Sequence, residues 1–102
     1  MSEANAEPTY QIVHEPTSTG GGFFVKDGDR VLGRLLWRRT DAGDMDGYTT
    51  FTEPELRGKG MARKLVDELV STALEEGVGI VPTCPYIRSV LEADPALKPL
   101  IR

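Results

Sequence analysis

The hydrophobic pattern of this 102-residue chain changes its period once, near Leu56, and that change limits the folds open to it. Before Leu56, short segments alternate polar and apolar residues or are rich in β-branched and aromatic residues, which is typical of strands. After it, apolar residues recur at the spacing of one helix face: Met61, Leu65, Val66, Leu69, Val70, Ala73 and Leu74. The pattern therefore predicts a strand meander followed by an amphipathic helix, within one domain.

Clusters of glycine, proline and aspartate divide the rest of the chain into elements. Strands are predicted at 10–13, 23–26, 30–39 and 48–52, and turns at 17–22, 27–29 and 41–47. Gly77 is suited to end the first helix, 78–81 is a short apolar strand, and Pro85 opens a second helix that ends near Glu92. This order, ββββ-α-β-α, predicts an α/β (α+β) fold with a mixed, mostly antiparallel sheet and two main helices. We expect its last β-α-β step to be parallel and right-handed, with 97–101 packed back on the sheet.

Composition and charge exclude several classes of function. With 12 Lys and Arg against 16 Asp and Glu, the net charge is −4, which does not suit a nucleic-acid partner. No apolar run is long enough to span a membrane, one cysteine cannot form an internal disulfide, and no cluster has metal-ligand spacing. Residues 1–8 are polar and lack the apolar segment of a signal peptide. We therefore expect a disordered tail at 1–8, a single domain at 9–102 and a cytoplasmic location.

The string Arg-Gly-Lys-Gly-Met-Ala at 57–62 stands where the first helix is predicted to begin. Glycines lack Cβ and let a ligand approach the backbone closely. The first N–H groups of a helix have no internal partner, and the helix dipole adds partial positive charge at that end. Together these features predict an anion site, with a diphosphate as the natural ligand. The alternative interpretation is an ordinary glycine-rich helix start with solvated basic side chains.

Two strings resemble a known family, the GNAT N-acetyltransferases. The loop resembles their acetyl-CoA signature, with Arg57, Gly60 and Ala62 in its three specified positions. The string Val-Gly-Ile-Val-Pro-Thr-Cys-Pro-Tyr at 78–86 resembles small single-domain GNAT-like proteins with a Pro-Thr-Cys-Pro-(Tyr/Phe) motif. The resemblance runs from about residue 10 to residue 97. It departs in one respect, because 48–53 lacks a histidine that members often carry on the strand before the loop.

The resemblance implies a coenzyme A site built from the strand before the loop, the loop itself and the cysteine motif. The backbone at 50–52 is expected to hydrogen-bond the pantetheine arm like an added strand. Lys59, Arg63 and Lys64 are candidates to neutralise the outer phosphates. The full set of expected cofactor-binding residues is Thr50, Phe51, Thr52, Arg57, Gly58, Lys59, Gly60, Met61, Ala62, Arg63 and Cys84.

The expected catalytic residues are Cys84 and Tyr86, just after the second apolar strand. At a helix N-terminus a cysteine is favoured as thiolate, so Cys84 is a candidate nucleophile that takes the acyl group. It is equally a candidate acid that protonates the departing coenzyme A sulfur. The alternatives are a small buried apolar residue at Cys84 and core packing by Tyr86.

Other titratable and aromatic residues are weaker candidates for chemistry. Glu53 and Glu55 are the carboxylates nearest the loop and are candidate bases, although solvated loop charges of that kind are common. His14 is interpreted as a packing or surface histidine, and Trp37 as a core residue.

Three hypotheses for the function follow from these observations. The first is an acetyl-CoA-dependent N-acetyltransferase that acts on a small amine or on a protein lysine or N-terminus. The second is a coenzyme A or acyl-CoA binding module without efficient transfer, which the missing histidine favours. A domain that keeps the fold but not the cofactor is a third, against which the retained loop glycines count.

Overall fold

A computed structural model describes residues 10–102, and the predicted tail at 1–8 lies outside these residues. The strands are β1 (Gln11–Pro16), β2 (Gly20–Asp27), β3 (Arg30–Arg39), β4 (Met45–Thr52) and β5 (Ile80–Val81). The helices are α1 (Met61–Glu76) and α2 (Pro85–Ala93), with 3-10 turns at Pro54–Leu56 and Lys98–Leu100. The predicted order ββββ-α-β-α and the α/β fold class are confirmed. No helix among residues 10–102 is long and apolar enough to cross a membrane.

The five strands form one sheet in the order in which they occur along the chain. Strands β1 to β4 are antiparallel neighbours, and β5 lies parallel to β4 after the crossover through α1. The C-terminal segment returns to the sheet, because Ile101 forms a parallel bridge with Ile80 and the Arg102 N–H donates to the Ile80 carbonyl at 2.9 Å. The predicted mixed sheet and the return of the C-terminal segment are both confirmed.

Both helices cover the same face of the sheet. At Gly47 in β4, an added Cβ would meet Ile87 Cδ1 of α2 at 2.7 Å and Leu69 Cδ2 of α1 at 3.2 Å. The core between the helices and this face includes Phe23, Val25, Leu35, Trp37, Met45, Leu65, Leu69, Ile80, Ile87 and Leu91. We call the other side of the sheet the helix-free face. It carries charged and partly exposed side chains such as Arg34 and Leu36.

The prediction that Leu74 belongs to the buried face of the first helix is wrong. Leu74 is 61% exposed, whereas Ala73 beside it is fully buried. Successive residues are turned by about 100° around a helix, which takes Leu74 beyond the stripe in the last turn of α1. The predicted cap is confirmed, because Gly77 adopts the left-handed conformation (φ 71°) and its N–H donates to the carbonyls of Ala73 and Leu74.

The predicted turn at 17–22 is wrong in its second half, because Gly20, Gly21 and Gly22 belong to β2. These glycines serve close packing within the sheet. An added Cβ on Gly20 would collide with the Trp37 carbonyl, and one on Gly22 would lie 2.6 Å from the Phe24 ring. A side chain at either position would therefore displace its neighbour, so glycine is required here for space and not for chain reversal.

The predicted turn at 41–47 also ends too late, because β4 begins at Met45. Asp46 makes this segment look like a turn in the sequence, yet its Oδ2 accepts from Arg38 Nε at 3.1 Å across the strand pair. The ion pair lets a carboxylate that is only 8% exposed occupy a strand position. Its other oxygen, Oδ1, is buried without a donor among residues 10–102.

Candidate functional site

Strands β4 and β5 separate soon after they meet. They share only the residue pairs Met45–Ile80 and Asp46–Val81. One residue further, the Cys84 N–H donates to the Gly47 carbonyl at 2.9 Å. From there to Thr52, the part of the chain that the structure describes offers β4 no strand partner on the β5 side. The strand therefore presents an open edge, with Cys84 at its inner end.

A β-bulge lies at the start of this open edge. Leu36 of β3 pairs with Thr49, whereas the next residue, Trp37, pairs with Gly47. Tyr48 is thus an extra residue on β4, and a bulge of this kind changes the direction of the strand. The bulge coincides with the point at which β4 leaves β5.

The loop after β4 ends in a row of backbone N–H groups without acceptors. Gly58 (φ 77°) and Gly60 (φ 74°) are both left-handed, and Gly60 is the N-cap of α1. The first helical hydrogen bond runs from the Lys64 N–H to the Gly60 carbonyl at 3.2 Å. Within residues 10–102, no carbonyl or side chain accepts from the N–H of Gly58, Gly60, Met61, Ala62 or Arg63.

Space above these donors is open. An added Cβ on Gly58 or Gly60 would meet nothing within 4 Å. By contrast, the N–H groups of Arg57 and Lys59 are already used by the carbonyls of Pro54 and Leu56. The loop therefore combines N–H donors that have no acceptor within residues 10–102 with open space beside both glycines, an arrangement that suits an anion.

The charged side chains around the loop are not all free. Arg63 donates to Asp67 at 3.1 Å, one turn further along α1. Glu55 accepts from Arg30 of β3 at 2.6 Å, and this hydrogen bond and the charge of Glu55 raise the pKa of Arg30. Lys59 and Lys64 are exposed and form no ion pair among the described residues, so their charges remain available to a ligand.

Cys84 is the N-cap of α2 and is 6% exposed. Its thiol donates to Thr50 Oγ1 at 3.5 Å. The sequence analysis predicted that the backbone of Thr50 binds the cofactor, but it did not predict this side-chain contact. The alternation of β4 places Thr50 on the face that packs against the helices, and the neighbouring Phe51 on the helix-free face.

The two aromatic residues of the expected site are exposed. Tyr86, in the first turn of α2, is 38% exposed, so the interpretation of Tyr86 as a core residue is wrong. Phe51 is 42% exposed, and the Arg34 guanidinium lies over its ring at 5.0 Å.

The backbone N–H and C=O of Phe51 point to β3, because Phe51 lies two residues before Glu53, whose N–H donates to the Leu32 carbonyl of that strand. The open edge therefore carries the backbone groups of Thr50 and Thr52.

His14 and Trp37 lie in a packed cluster on β1 to β3. The imidazole stacks on Phe23 with ring centroids 4.1 Å apart, and Trp37 Nε1–H donates to His14 Nε2 at 3.2 Å. Burial lowers the pKa of His14, against the smaller raising effects of Glu76 and Glu68. The interpretation of both residues as packing residues is confirmed. Among residues 10–102, no group of three His, Cys, Asp or Glu side chains could hold a metal ion.

The model of a protein family described as GCN5-related N-acetyl-transferase matches residues 22–100 of the chain. The chain belongs to this family, which confirms the resemblance at the family level. The narrower likeness to proteins with a Pro-Thr-Cys-Pro-Tyr motif stays a prediction. No curated protein matches the chain.

Proposed function

We propose that the protein is an acetyl-CoA-dependent N-acetyltransferase that moves acetyl to the primary amine of a small molecule or of a protein. The observation that carries the proposal is the set of five free N–H donors, on Gly58 and on Gly60 to Arg63, one short loop away from the open edge of β4. Membership of the GCN5-related family supports acyl transfer as the class of reaction.

The loop residues fit the phosphates of coenzyme A. Five backbone donors and the positive end of the α1 dipole suit a diphosphate, and Lys59 and Lys64 add mobile positive charge for a further phosphate. Gly58 and Gly60 have no side chain that would obstruct a ligand at the loop. Thr50 and Thr52, on either side of Phe51, then offer unpaired backbone to the pantetheine arm, in the manner of an added strand.

Cys84 serves the acyl transfer in one of two ways. In direct transfer, the amine nitrogen bonds to the thioester carbon, the carbon–sulfur bond breaks, and the Cys84 thiol gives its proton to the departing sulfur. The surplus proton of the nitrogen then returns the Cys84 thiolate to the thiol. In two-step transfer, the Cys84 thiolate bonds to the thioester carbon and coenzyme A departs as a thiolate that takes a proton from water. The amine nitrogen then bonds to the same carbon, the bond to the Cys84 sulfur breaks, and the surplus proton of the nitrogen passes to water. In both, Thr50 orients the sulfur through the contact at 3.5 Å. Tyr86 is a neighbouring group, exposed on the first turn of α2.

One observation favours the second candidate, a binding module for coenzyme A or acyl-CoA. Cys84 is almost fully buried, and the segment 48–53 has no histidine to remove its proton. A buried thiol without a base is a weak nucleophile, since the thiolate is the reactive form. Such a protein would hold coenzyme A at the same loop and leave the thioester intact.

Mass spectrometry of the protein with acetyl-CoA separates these candidates. A native complex, together with one acetyl group that survives denaturation and is lost in Cys84→Ala, is the result expected for two-step transfer. A native complex with acetylated amine products but no covalent adduct indicates direct transfer. A complex with neither product supports the binding module, and no complex in the millimolar range would contradict the whole assignment.

A further inference from the structure

A groove of about 560 Å³ lies on the helix-free face, at the end of the sheet where β1 turns into β2. Its floor is the bare backbone of Gly20 and Gly22, and its walls include Phe24, Leu36 and Tyr48. The volume is within the usual range for small-molecule sites, roughly 300–1,000 Å³. A side chain at Gly22 would crowd Phe24 and Leu36, which line the groove.

Arg38 stands at the rim of this groove and is held from two sides. Its Nε donates to Asp46 Oδ2 at 3.1 Å, and its guanidinium lies 4.7 Å from the centre of the Tyr48 ring. Its terminal nitrogens make no hydrogen bond within residues 10–102, and the side chain is 59% exposed. A guanidinium fixed in this way presents paired donors in a geometry that matches a carboxylate.

The groove adjoins the open edge of β4. Tyr48 lines the groove and is also the bulged residue next to Gly47, where Cys84 bonds to the strand. A molecule in the groove therefore lies beside the point at which β4 and β5 part. Cys84 and Thr50 lie on the other face, so a molecule in the groove is nearest to them where the strands part.

We propose that this groove is the acceptor subsite, and that it takes a small amine that also carries a carboxylate and an apolar group. The proposal rests on the proposed acetyl transfer. The carboxylate pairs with the free donors of Arg38, the apolar group lies against Phe24 and Leu36, and the amine is directed past Tyr48 towards the open edge. The size of the groove favours a molecule of amino-acid dimensions over a protein segment.

The test is a titration of the isotope-labelled protein followed by NMR, with three matched probes. L-Phenylalanine and 3-phenylpropionate carry the carboxylate and the apolar group, whereas phenethylamine lacks the carboxylate. We expect the first two to shift the amide signals of Gly20, Gly22 and Leu36, and phenethylamine to bind at least ~10-fold more weakly, as the loss of one charge-assisted pair implies. Equal binding of all three would overturn the proposal.

Two arginine variants give the control. Arg38→Gln should remove the preference for the carboxylate probes, whereas Arg34→Gln should leave it unchanged, since Arg34 shares the helix-free face but lies over Phe51 outside the groove. Because Arg38→Gln leaves Asp46 without its partner, the double variant R38Q/D46N provides a neutral pair if the single variant does not fold. Preference retained in a folded Arg38 variant would refute the role of Arg38.

Two further titrations keep this result separate from the proposed function. In the first, coenzyme A alone is added while the amide signals of Gly58 and Gly60 are observed. The absence of shifts there would contradict the proposed transferase function, and it would not change the result for ligand binding in the groove. A capped peptide with one lysine and no free carboxylate is the last probe. If it shifts the groove amides while the carboxylate probes do not, a protein acceptor replaces the small molecule and the proposal is wrong.

Discussion

The two ends of α1 offer a matched pair of substitutions. Gly60 begins the helix with φ 74° and Gly77 ends it with φ 71°, so both adopt the left-handed conformation. An added Cβ meets nothing within 4 Å at either position. Alanine at each site therefore introduces the same backbone strain and no steric collision. Only Gly60 lies in the row of free N–H donors.

The expected loss of stability is similar for the two variants. An L-residue in the left-handed region costs roughly 1–2 kcal/mol, and about 0.4–1 kcal/mol of this is regained because alanine restricts the unfolded chain. The net loss is about 1 kcal/mol, which lowers Tm by about 4–8 °C in a domain of this size. Affinity for coenzyme A should differ, because a methyl group on Gly60 stands where the phosphates must approach. We expect at least a ~10-fold higher Kd for Gly60→Ala, equivalent to about 1.4 kcal/mol, and little change for Gly77→Ala.

Thermal unfolding followed by circular dichroism gives the first quantity, and calorimetric titration with coenzyme A gives the second. Equal affinities in the two variants would show that the phosphates do not bind at the start of α1. A large difference in Tm between them would refute the argument that strain alone sets the loss of stability.

Two further predictions concern Thr50 and His14. Thr50→Val removes the acceptor of the Cys84 thiol with little change of shape. The rate of covalent acetyl incorporation, measured by mass spectrometry, should fall roughly 10-fold if that contact is worth about 1.4 kcal/mol in the transition state. The control variant Thr49→Val should leave this rate unchanged. Burial lowers the pKa of His14 below 6.5, and Trp37 donates to its ring nitrogen, so the unfolded chain takes up the proton more readily. The His14 contribution to the free energy of unfolding is therefore complete above pH 6.5 and is lost as the pH falls through the folded-state pKa. Urea unfolding across this range should show the loss, and an equal loss in His14→Gln would refute it.

The order of elements was predictable because each rests on a local signal. Helical periodicity marks α1, left-handed glycine marks its end at Gly77, and proline marks the start of α2 at Pro85. The strands were predicted too short where polar residues or glycines lie inside the sheet. Gly20 and Asp46 have turn-like chemistry, and only the neighbouring strand explains them, through the Trp37 carbonyl in one case and Arg38 in the other.

In the candidate site too, the features that depend on consecutive residues could be predicted, and those that depend on contacts between strands could not. The donors of the loop depend on consecutive residues around Gly58 and Gly60, so the glycine pattern was enough to predict their positions. The open edge of β4 depends on how far β5 follows it, which no local pattern states. Arg38 carries no signal in the sequence beyond its charge, since the role proposed for it depends on Asp46 and Tyr48 across the strand pair and on the groove beside Gly22.

The contact between Thr50 and Cys84 shows why such details escape the sequence. Without the bulge, Trp37 opposite Gly47 would place Leu35 opposite Thr49, and Thr49 would face the helices. The extra residue at Tyr48 shifts the register by one, so the fully buried Leu35 pairs with Thr50 instead. Since a shift of one residue moves every side chain to the opposite face, the bulge decides which threonine meets the thiol. Removing the bulge would therefore exchange the two threonines, so that Thr49 and not Thr50 would present its hydroxyl on the face where Cys84 lies.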